Sequence, residues 1–89
     1  MDKFKVILLP QALKFYQNCS SKLANRLNRC FEDLENNPFQ GQNIKRLKVK
    51  KILYRYRAGD YRIIYEIDKR DKRIGVLLIT LRPSAYRSI

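Results

Sequence analysis

Three arginines in the segment 53–65, LYRYRAGDYRIIY, have the spacing that brings side chains to one face of a β-hairpin. Arg55 and Arg57 alternate with tyrosines, and Arg62 follows the sequence Ala58-Gly59-Asp60. Strand side chains point to alternate faces, and glycine supplies the positive φ that a tight hairpin turn needs. If the apolar faces of the two arms coincide, three guanidinium groups project from one side of a sheet. Because one guanidinium group can donate two parallel hydrogen bonds to phosphate oxygens, the pattern predicts a phosphate-binding surface.

The distribution of charge points in the same direction. The net charge is +12; residues 1–43 hold 6 basic and 4 acidic residues, whereas residues 44–89 hold 14 and 4, a net +10. Such a polycationic half favours a nucleic acid or an acidic protein as partner, and a solvated basic surface is the alternative. The lysines after residue 44 could also protect a sheet edge from pairing. The further residues that we assign to RNA or phosphate binding are Lys45, Arg46, Lys48, Lys50, Lys51 and Arg87.

Length and composition exclude several classes of protein. We expect the 89 residues to form one domain, 1–89, with a modest core. The chain has no apolar run of about 18 residues and no signal peptide, so we expect a cytoplasmic protein without membrane contact. It has no histidine and two cysteines, Cys19 and Cys30, which we interpret as reduced, buried helix residues rather than redox or metal ligands. We therefore expect neither a metal site nor a cofactor.

Two helices are predicted between residues 9 and 37. The first begins near Pro10, which suits the first turn of a helix, and presents an apolar stripe of Leu9, Ala12, Leu13 and Tyr16. Ser20-Ser21 forms a break and a cap before the second. Its stripe consists of Leu23, Leu27, Cys30, Phe31 and Leu34, and Asn36-Asn37-Pro38 ends it. The short link favours an antiparallel pair, and we interpret the charges on both helices, which include Arg26, Arg29 and Asp33, as a solvated face.

The remaining elements are strands. Residues 4–8 alternate, with Phe4, Val6 and Leu8 on one side; residues 44–52 suit a strand or an extended approach to the hairpin; and the apolar run 74–81 suits a strand inside a sheet. A charged turn at 68–72 joins the last two strands. The predicted fold is α+β: an N-terminal strand, an antiparallel helical hairpin, then a three- to four-stranded antiparallel meander. The helices cover one face of the sheet, and a basic face stays open.

The hairpin sequence LYRYRAGDYRIIYEID resembles the RelE/ParE superfamily of bacterial toxins from type II toxin–antitoxin systems. The hallmark of that superfamily is an aromatic-Arg-x-Arg-x-Gly-Asp-Tyr-Arg-x-x-Tyr hairpin. The order of elements is similar over the whole chain, including a last apolar strand that ends in Arg82 with Tyr86 four residues later. Leu81-Arg82-Pro83 stands where a Gly-His-Arg start is more usual, although the interval between arginine and tyrosine is kept.

In the RelE branch the resemblance implies cleavage of messenger RNA in the ribosomal A site without a metal. The 2′-hydroxyl attacks the neighbouring phosphodiester and leaves a 2′,3′-cyclic phosphate or 3′-phosphate and a free 5′-hydroxyl. The positions that match the residues carrying this activity are Arg55, Arg57, Arg62, Arg82 and Tyr86. The implied partners are an acidic antitoxin, the ribosome with its mRNA, and operator DNA only through the antitoxin.

Two other functions stay open at this point: a ParE-like inhibitor of DNA gyrase, and a nucleic-acid-binding relative without catalysis. Simpler interpretations of the residues are also open. The hairpin tyrosines suit core packing, and Arg55 and Arg57 could be an ordinary exposed face. Arg62 could pair with Glu66 along the same face.

Overall fold

The structure, a computed structural model, describes residues 3–48 and 52–81. The elements run in the predicted order of strand, two helices and a series of strands, so the predicted α+β class is confirmed. Their bounds are β1 Lys5–Leu8, α1 Pro10–Asn18, α2 Ser21–Asn36, β2 Ile44–Lys48, β3 Ile52–Ala58, β4 Tyr61–Asp68 and β5 Arg73–Thr80. Neither described helix combines the length and apolarity that crossing a membrane requires.

Helix α1 starts at Pro10 and buries only part of the predicted stripe. Ala12 is fully buried and Phe15 and Tyr16 pack against the core, whereas Leu13 is 39% exposed. The prediction for Leu13 was wrong because the helix is turned toward Phe15, whose ring meets Tyr61 of the sheet edge-on at 6.0 Å. The spacing 12, 15, 16 is as compatible with a helical stripe as 9, 12, 13, 16. Periodicity alone therefore left the facing residue undecided.

Helix α2 follows the sequence prediction closely. The Ser20 hydroxyl accepts a hydrogen bond from the Leu23 N–H at 3.2 Å, which is the expected N-cap. Leu27, Cys30 and Leu34 are buried, and the helix ends at Asn36. Cys30 and the half-buried Cys19 are both free thiols, although Cys19 follows the end of α1 rather than lying within it. Burial raises the pKa of the Cys30 thiol, and the nearby Asp33 carboxylate adds to the effect.

The five strands form one sheet in the order β1-β5-β4-β3-β2. Strands β2 to β5 are an antiparallel meander, while β1 joins the far edge parallel to β5, with Val6 beside Ile74. The pair of helices is the crossover between β1 and the rest of the sheet. Strand β2, with its lysines, is the opposite edge strand, and a bulge at Ile64/Tyr65 shifts the register between β4 and β5.

The helices cover one face of this sheet, which we call the helix face. Its buried cluster joins Leu27 and Leu34 of α2 to Tyr56, Ile63 and Tyr65 of the hairpin. Tyr54, Tyr61 and Ile67 are partly buried on the same side. The two arms of the hairpin therefore do turn their predicted apolar faces to one core, which leaves the intervening residues on the other face.

Candidate phosphate-binding site

The β3–β4 hairpin carries Arg55, Arg57 and Arg62 on the side of the sheet away from the helices; we call these three residues the arginine face. Arg57 lies directly opposite Arg62, and Arg55 lies opposite Ile64. Residues opposite one another in an antiparallel pair share a face, with Cβ atoms about 4.5–5.5 Å apart. The predicted convergence of the three arginines on one side is confirmed. Because like charges directly opposite one another destabilise a sheet, the Arg57–Arg62 pair suits an anion between them.

The turn that closes the hairpin sets the register in which Arg57 lies opposite Arg62. Ala58 pairs with Tyr61, which leaves Gly59 and Asp60 as a two-residue loop. Gly59 has φ +62°, at the position where a type II′ hairpin turn takes glycine. The glycine therefore fixes which arginine of β3 faces Arg62.

Two of the three guanidinium groups are partly withdrawn from solvent. Arg55 and Arg62 are half-buried while Arg57 is exposed. The Nε atoms of Arg55 and Arg62 are buried, and neither has a hydrogen-bond partner among the described residues. A buried donor without a partner costs about 1–3 kcal/mol, so such donors are uncommon in native proteins and call for an explanation. A phosphate on this face would offer acceptors to the guanidinium groups.

Arg62 is held against the turn rather than along its own strand. Its Nη1 donates to the carbonyl oxygens of Gly59 at 3.4 Å and of Tyr61 at 3.3 Å. Glu66 lies four residues along β4 in the opposite direction, about 13 Å away at the rise of a strand. The geometry thus favours the turn carbonyls over Glu66 as neighbours of Arg62. Nη1 is therefore engaged with the turn.

The arginine face has an apolar floor. Leu53 and Ile64 are fully buried, although both lie on the side of the sheet opposite the helices and neither belongs to the main core cluster. Ile64 is directly opposite Arg55. Charges beside an apolar, water-poor surface act more strongly on a bound anion than charges in open solvent.

The hairpin tyrosines have structural roles, as the core-packing interpretation proposed. The Tyr56 hydroxyl donates to the Asp33 carboxylate and the Tyr65 hydroxyl donates to the Pro38 carbonyl, each at 2.7 Å. Burial raises the pKa of both phenols above the ordinary range. Neither is therefore suited to accept a proton near neutral pH. Guanidinium groups keep their protons in proteins, so the arginine face itself can bind and stabilise negative charge but not move protons.

The other basic residues assigned from the sequence divide between locations. Lys45 pairs with Arg55 across β2 and β3 and shares its face, whereas Arg46 pairs with Tyr54 and lies on the helix face. The structure therefore separates Arg46 from the three arginines. Lys48 is described only by its backbone, which pairs with Ile52. Lys50, Lys51, Arg82, Tyr86 and Arg87 lie outside the described residues.

Two helix residues that the sequence interpretation left in the solvated face contribute to the hairpin. The Arg26 guanidinium lies against Gly59, so close that a Cβ atom there would collide with it. Asp33 holds Tyr56. No local pattern marks either residue, because both contacts depend on how α2 lies across the sheet. Arg26 adds a fourth cation at the tip of the hairpin.

The cavity beside α1 is separate from the arginine face. A cavity of about 530 Å³ lies between α1 and the β4–β5 pair, with Phe15, Leu23 and Tyr61 in its wall, and its described lining includes none of the three arginines. Within residues 3–48 and 52–81, no three His, Cys, Asp or Glu side chains form a group that could hold a metal ion. A face that carries three arginines suits the phosphate backbone of a polymer.

Comparison with protein families gives a match over most of the chain. Residues 6–84 match the family described as "ParE toxin of type II toxin-antitoxin system, parDE". No curated protein matches the sequence at a significant level.

Solved structures with the same fold are toxins of this kind. The RelE–RelB complex of the archaeon Pyrococcus horikoshii is similar at 28% identity and a TM-score of 0.77, over 91% of this chain and 97% of that one. A RelBE toxin–antitoxin complex of Mycobacterium tuberculosis has the same fold at 20% identity and a TM-score of 0.77, covering 90% and 99% of the two chains. A YoeB/ParE toxin of Agrobacterium tumefaciens, at 16% identity, has a TM-score of 0.75 over 89% and 99%.

Proposed function

The chain belongs to the ParE toxin family of type II toxin–antitoxin systems, and we propose that it is a toxin that stops translation by cutting mRNA on the ribosome. The observation that carries the proposal is the arginine face, where two buried Nε donors that have no partner within residues 3–48 and 52–81 lie beside the exposed Arg57. The similarity to the Pyrococcus horikoshii RelE chain supports the RelE-like activity over the others.

The reaction needs charge stabilisation above all. In the proposed step a ribose 2′-oxygen bonds to the adjacent phosphorus, the bond from phosphorus to the 5′-oxygen breaks, and the 2′-proton is removed while the 5′-oxygen gains one. The products are a 2′,3′-cyclic phosphate and a free 5′-hydroxyl. The transition state gathers negative charge on the phosphoryl oxygens, and preorganised donors aimed at that charge are worth about 10²–10³ in rate each.

We assign different roles to the half-buried and the exposed arginines. In this proposal Arg55 and Arg62 bind the scissile phosphate, because each has an Nε donor without a partner among the described residues. Arg57, directly opposite Arg62 and exposed, is placed to meet the incoming backbone. Lys45 extends the same face on the neighbouring strand.

Proton transfer needs residues outside this group. By resemblance, Arg82 would neutralise the phosphorane and Tyr86 would stack on a base or accept the 2′-proton; both lie outside the described residues. A phenol surrounded by cations has a lowered pKa, which would suit that role. The residues on the arginine face would then hold the phosphate while the C-terminal segment supplies the base.

The proposed partners follow from the charge of the chain and from its relatives. The similar solved structures from Pyrococcus horikoshii and Mycobacterium tuberculosis are complexes with an antitoxin. We expect an acidic antitoxin here, because the net charge is +12. The ribosome and its mRNA would be the targets in the cytoplasm, and operator DNA would be contacted only through the antitoxin.

Purified protein added to translating ribosomes tests the proposal. We expect new 5′ ends within the message, at positions occupied by the ribosomal A site, and 5′-hydroxyl termini on the downstream fragments. Intact message at stoichiometric protein would overturn it.

The name of the matching family favours a second candidate, inhibition of DNA gyrase. Supercoiling assays separate the two activities, because a gyrase inhibitor would block supercoiling and leave message intact. A non-catalytic nucleic-acid-binding relative would instead bind RNA with a steep dependence on salt and would neither cut it nor arrest growth.

A further inference from the structure

A second surface lies on the helix face, beside the end of the hairpin away from its turn. It surrounds a cavity of about 210 Å³ that we call the apolar patch, lined by Phe39, Arg46, Ile52, Tyr54, Ile67 and Lys69. The helices leave this part of the face open. Ile52 is 58% exposed and Phe39 is 37% exposed, and they are two of the four large apolar side chains that are exposed in the described part of the chain. Grouped exposed apolar residues with a polar rim mark interaction surfaces.

The floor of the patch is rigid. The Phe39 ring meets the Phe4 ring at 5.6 Å and the Tyr54 ring at 6.4 Å, both edge-on. Tyr54 in turn stacks on the buried Tyr65 at 5.6 Å. This series of ring contacts connects the exposed residues to the core. The patch would therefore lose little conformational entropy when a partner binds.

The charges around the patch have one sign. Arg46 and Lys69 are its two charged lining residues, and the Lys69 ammonium lies 5.4 Å from the centre of the Phe39 ring. Asp68, the neighbouring acid, accepts hydrogen bonds from the backbone N–H groups of Arg70 and Asp71 in its own turn. An acidic partner therefore complements the rim.

The chemistry of the floor favours a peptide over a nucleobase. A base binds by stacking on a free aromatic or guanidinium plane. Here Lys69 is positioned over the Phe39 ring, and Tyr54 already stacks on Tyr65. The most exposed part of the floor is Ile52, which has no π surface. An aliphatic or aromatic side chain that enters the cavity fits better.

We propose that the apolar patch anchors an apolar side chain, flanked by carboxylates, of the antitoxin. This inference depends on the proposed function for the existence of that partner. The patch and the arginine face lie on opposite sides of the sheet, and the edge strand β2 carries Arg46 on the side of the patch and Lys45 on the other. A single partner that covers both must pass from one side of the sheet to the other. Anchoring and silencing are therefore two separable contacts.

The test compares antitoxin binding by three variants with that of the parent protein. The probe is an acidic protein encoded beside this chain and chosen because it neutralises the parent toxin in a growth assay. Ile52→Gln removes the anchor without adding charge, and Lys69→Glu reverses the charge at the rim. Leu13→Gln is the control, because Leu13 is also a large exposed apolar side chain but lies on α1, outside the patch. Binding is measured by calorimetry, cleavage in the translation assay and folding by thermal unfolding.

We expect Ile52→Gln and Lys69→Glu each to weaken antitoxin binding about tenfold or more, with unchanged mRNA cleavage and less neutralisation in cells. Leu13→Gln should bind within about twofold of the parent. If both patch variants bind the antitoxin with parental affinity, the inference about the patch is wrong while the proposed function stands. The same holds if the variants lose RNA or ribosome binding but keep antitoxin binding. If Ile52→Gln fails to fold, Lys69→Glu in its exposed turn decides. A parent protein that neither cuts RNA nor meets a neutralising partner would instead overturn the proposed function.

Discussion

A side chain at Gly59 would strain the backbone and collide with a neighbouring side chain. The free energy of unfolding of Gly59→Ala measures the cost of both effects. The residue has φ +62°, where an L-residue costs about 1–2 kcal/mol. Its added Cβ would also collide with the Arg26 guanidinium. Alanine restricts the unfolded chain, which returns about 0.4–1 kcal/mol. Arg26 is an exposed, flexible side chain and can move aside at a cost of about 0.5 kcal/mol.

These contributions leave a net loss of about 0.5–2 kcal/mol in the free energy of unfolding for Gly59→Ala. For a domain of this size that corresponds to a fall in Tm of about 2–16 °C, at roughly 4–8 °C per kcal/mol. The same substitution in an Arg26→Ala background should cost about 0.5 kcal/mol less, because the collision is gone while the backbone strain stays.

Urea unfolding of the four proteins, parent, two single variants and the double variant, gives both numbers. A loss below about 0.5 kcal/mol for Gly59→Ala, in the range of ordinary surface substitutions, would refute the argument that this turn needs glycine. Equal costs in the two backgrounds would refute the contact with Arg26 while leaving the backbone argument intact.

Two further predictions concern the buried tyrosines. Tyr65→Phe should lower the free energy of unfolding by about 1–3 kcal/mol, because the buried Pro38 carbonyl loses its donor. Tyr16→Phe, which loses an exposed hydrogen bond to Asn28, should lower it by about 0.5 kcal/mol or less. Equal losses of the two variants in urea unfolding would contradict this prediction. Folding raises the pKa of Tyr56 and of Tyr65 through burial. The stability they confer is thus complete below about pH 10 and falls as pH rises toward the folded values, by about 1.4 kcal/mol per pH unit for each phenol. Tyr56→Phe should make that alkaline decline shallower, and an unchanged slope would show that Tyr56 does not titrate as argued.

Much of the fold follows from local patterns in the sequence. The alternation of Tyr54, Arg55, Tyr56 and Arg57 with a glycine turn determines both the register and the face of each arginine, since strand side chains alternate strictly. The Ser20 cap and the stripe of α2 are equally local. The candidate site was predictable to the same extent, because its three described arginines lie on one hairpin.

What the sequence left open depends on contacts between distant elements. The orientation of α1, which exposes Leu13 and turns Phe15 to Tyr61, is set by packing that no helical period determines. The contact of Arg26 with Gly59 and the separation of Arg46 from the arginine face depend on how α2 and β2 meet the hairpin. The apolar patch was missed for the same reason, since Phe39 and Ile52 are distant in sequence and share a surface only in the folded chain.

Single-turnover cleavage of ribosome-bound mRNA by arginine variants tests the central claim most directly. Arg62→Gln should slow cleavage about 100-fold or more, whereas Arg70→Gln, in the exposed turn after β4, should stay within about twofold. Arg57→Gln should also slow cleavage without lowering Tm, because it removes one of two like charges that lie directly opposite. Cleavage within about threefold of the parent in both Arg57→Gln and Arg62→Gln, with folding intact, would contradict the assignment of catalysis to the arginine face.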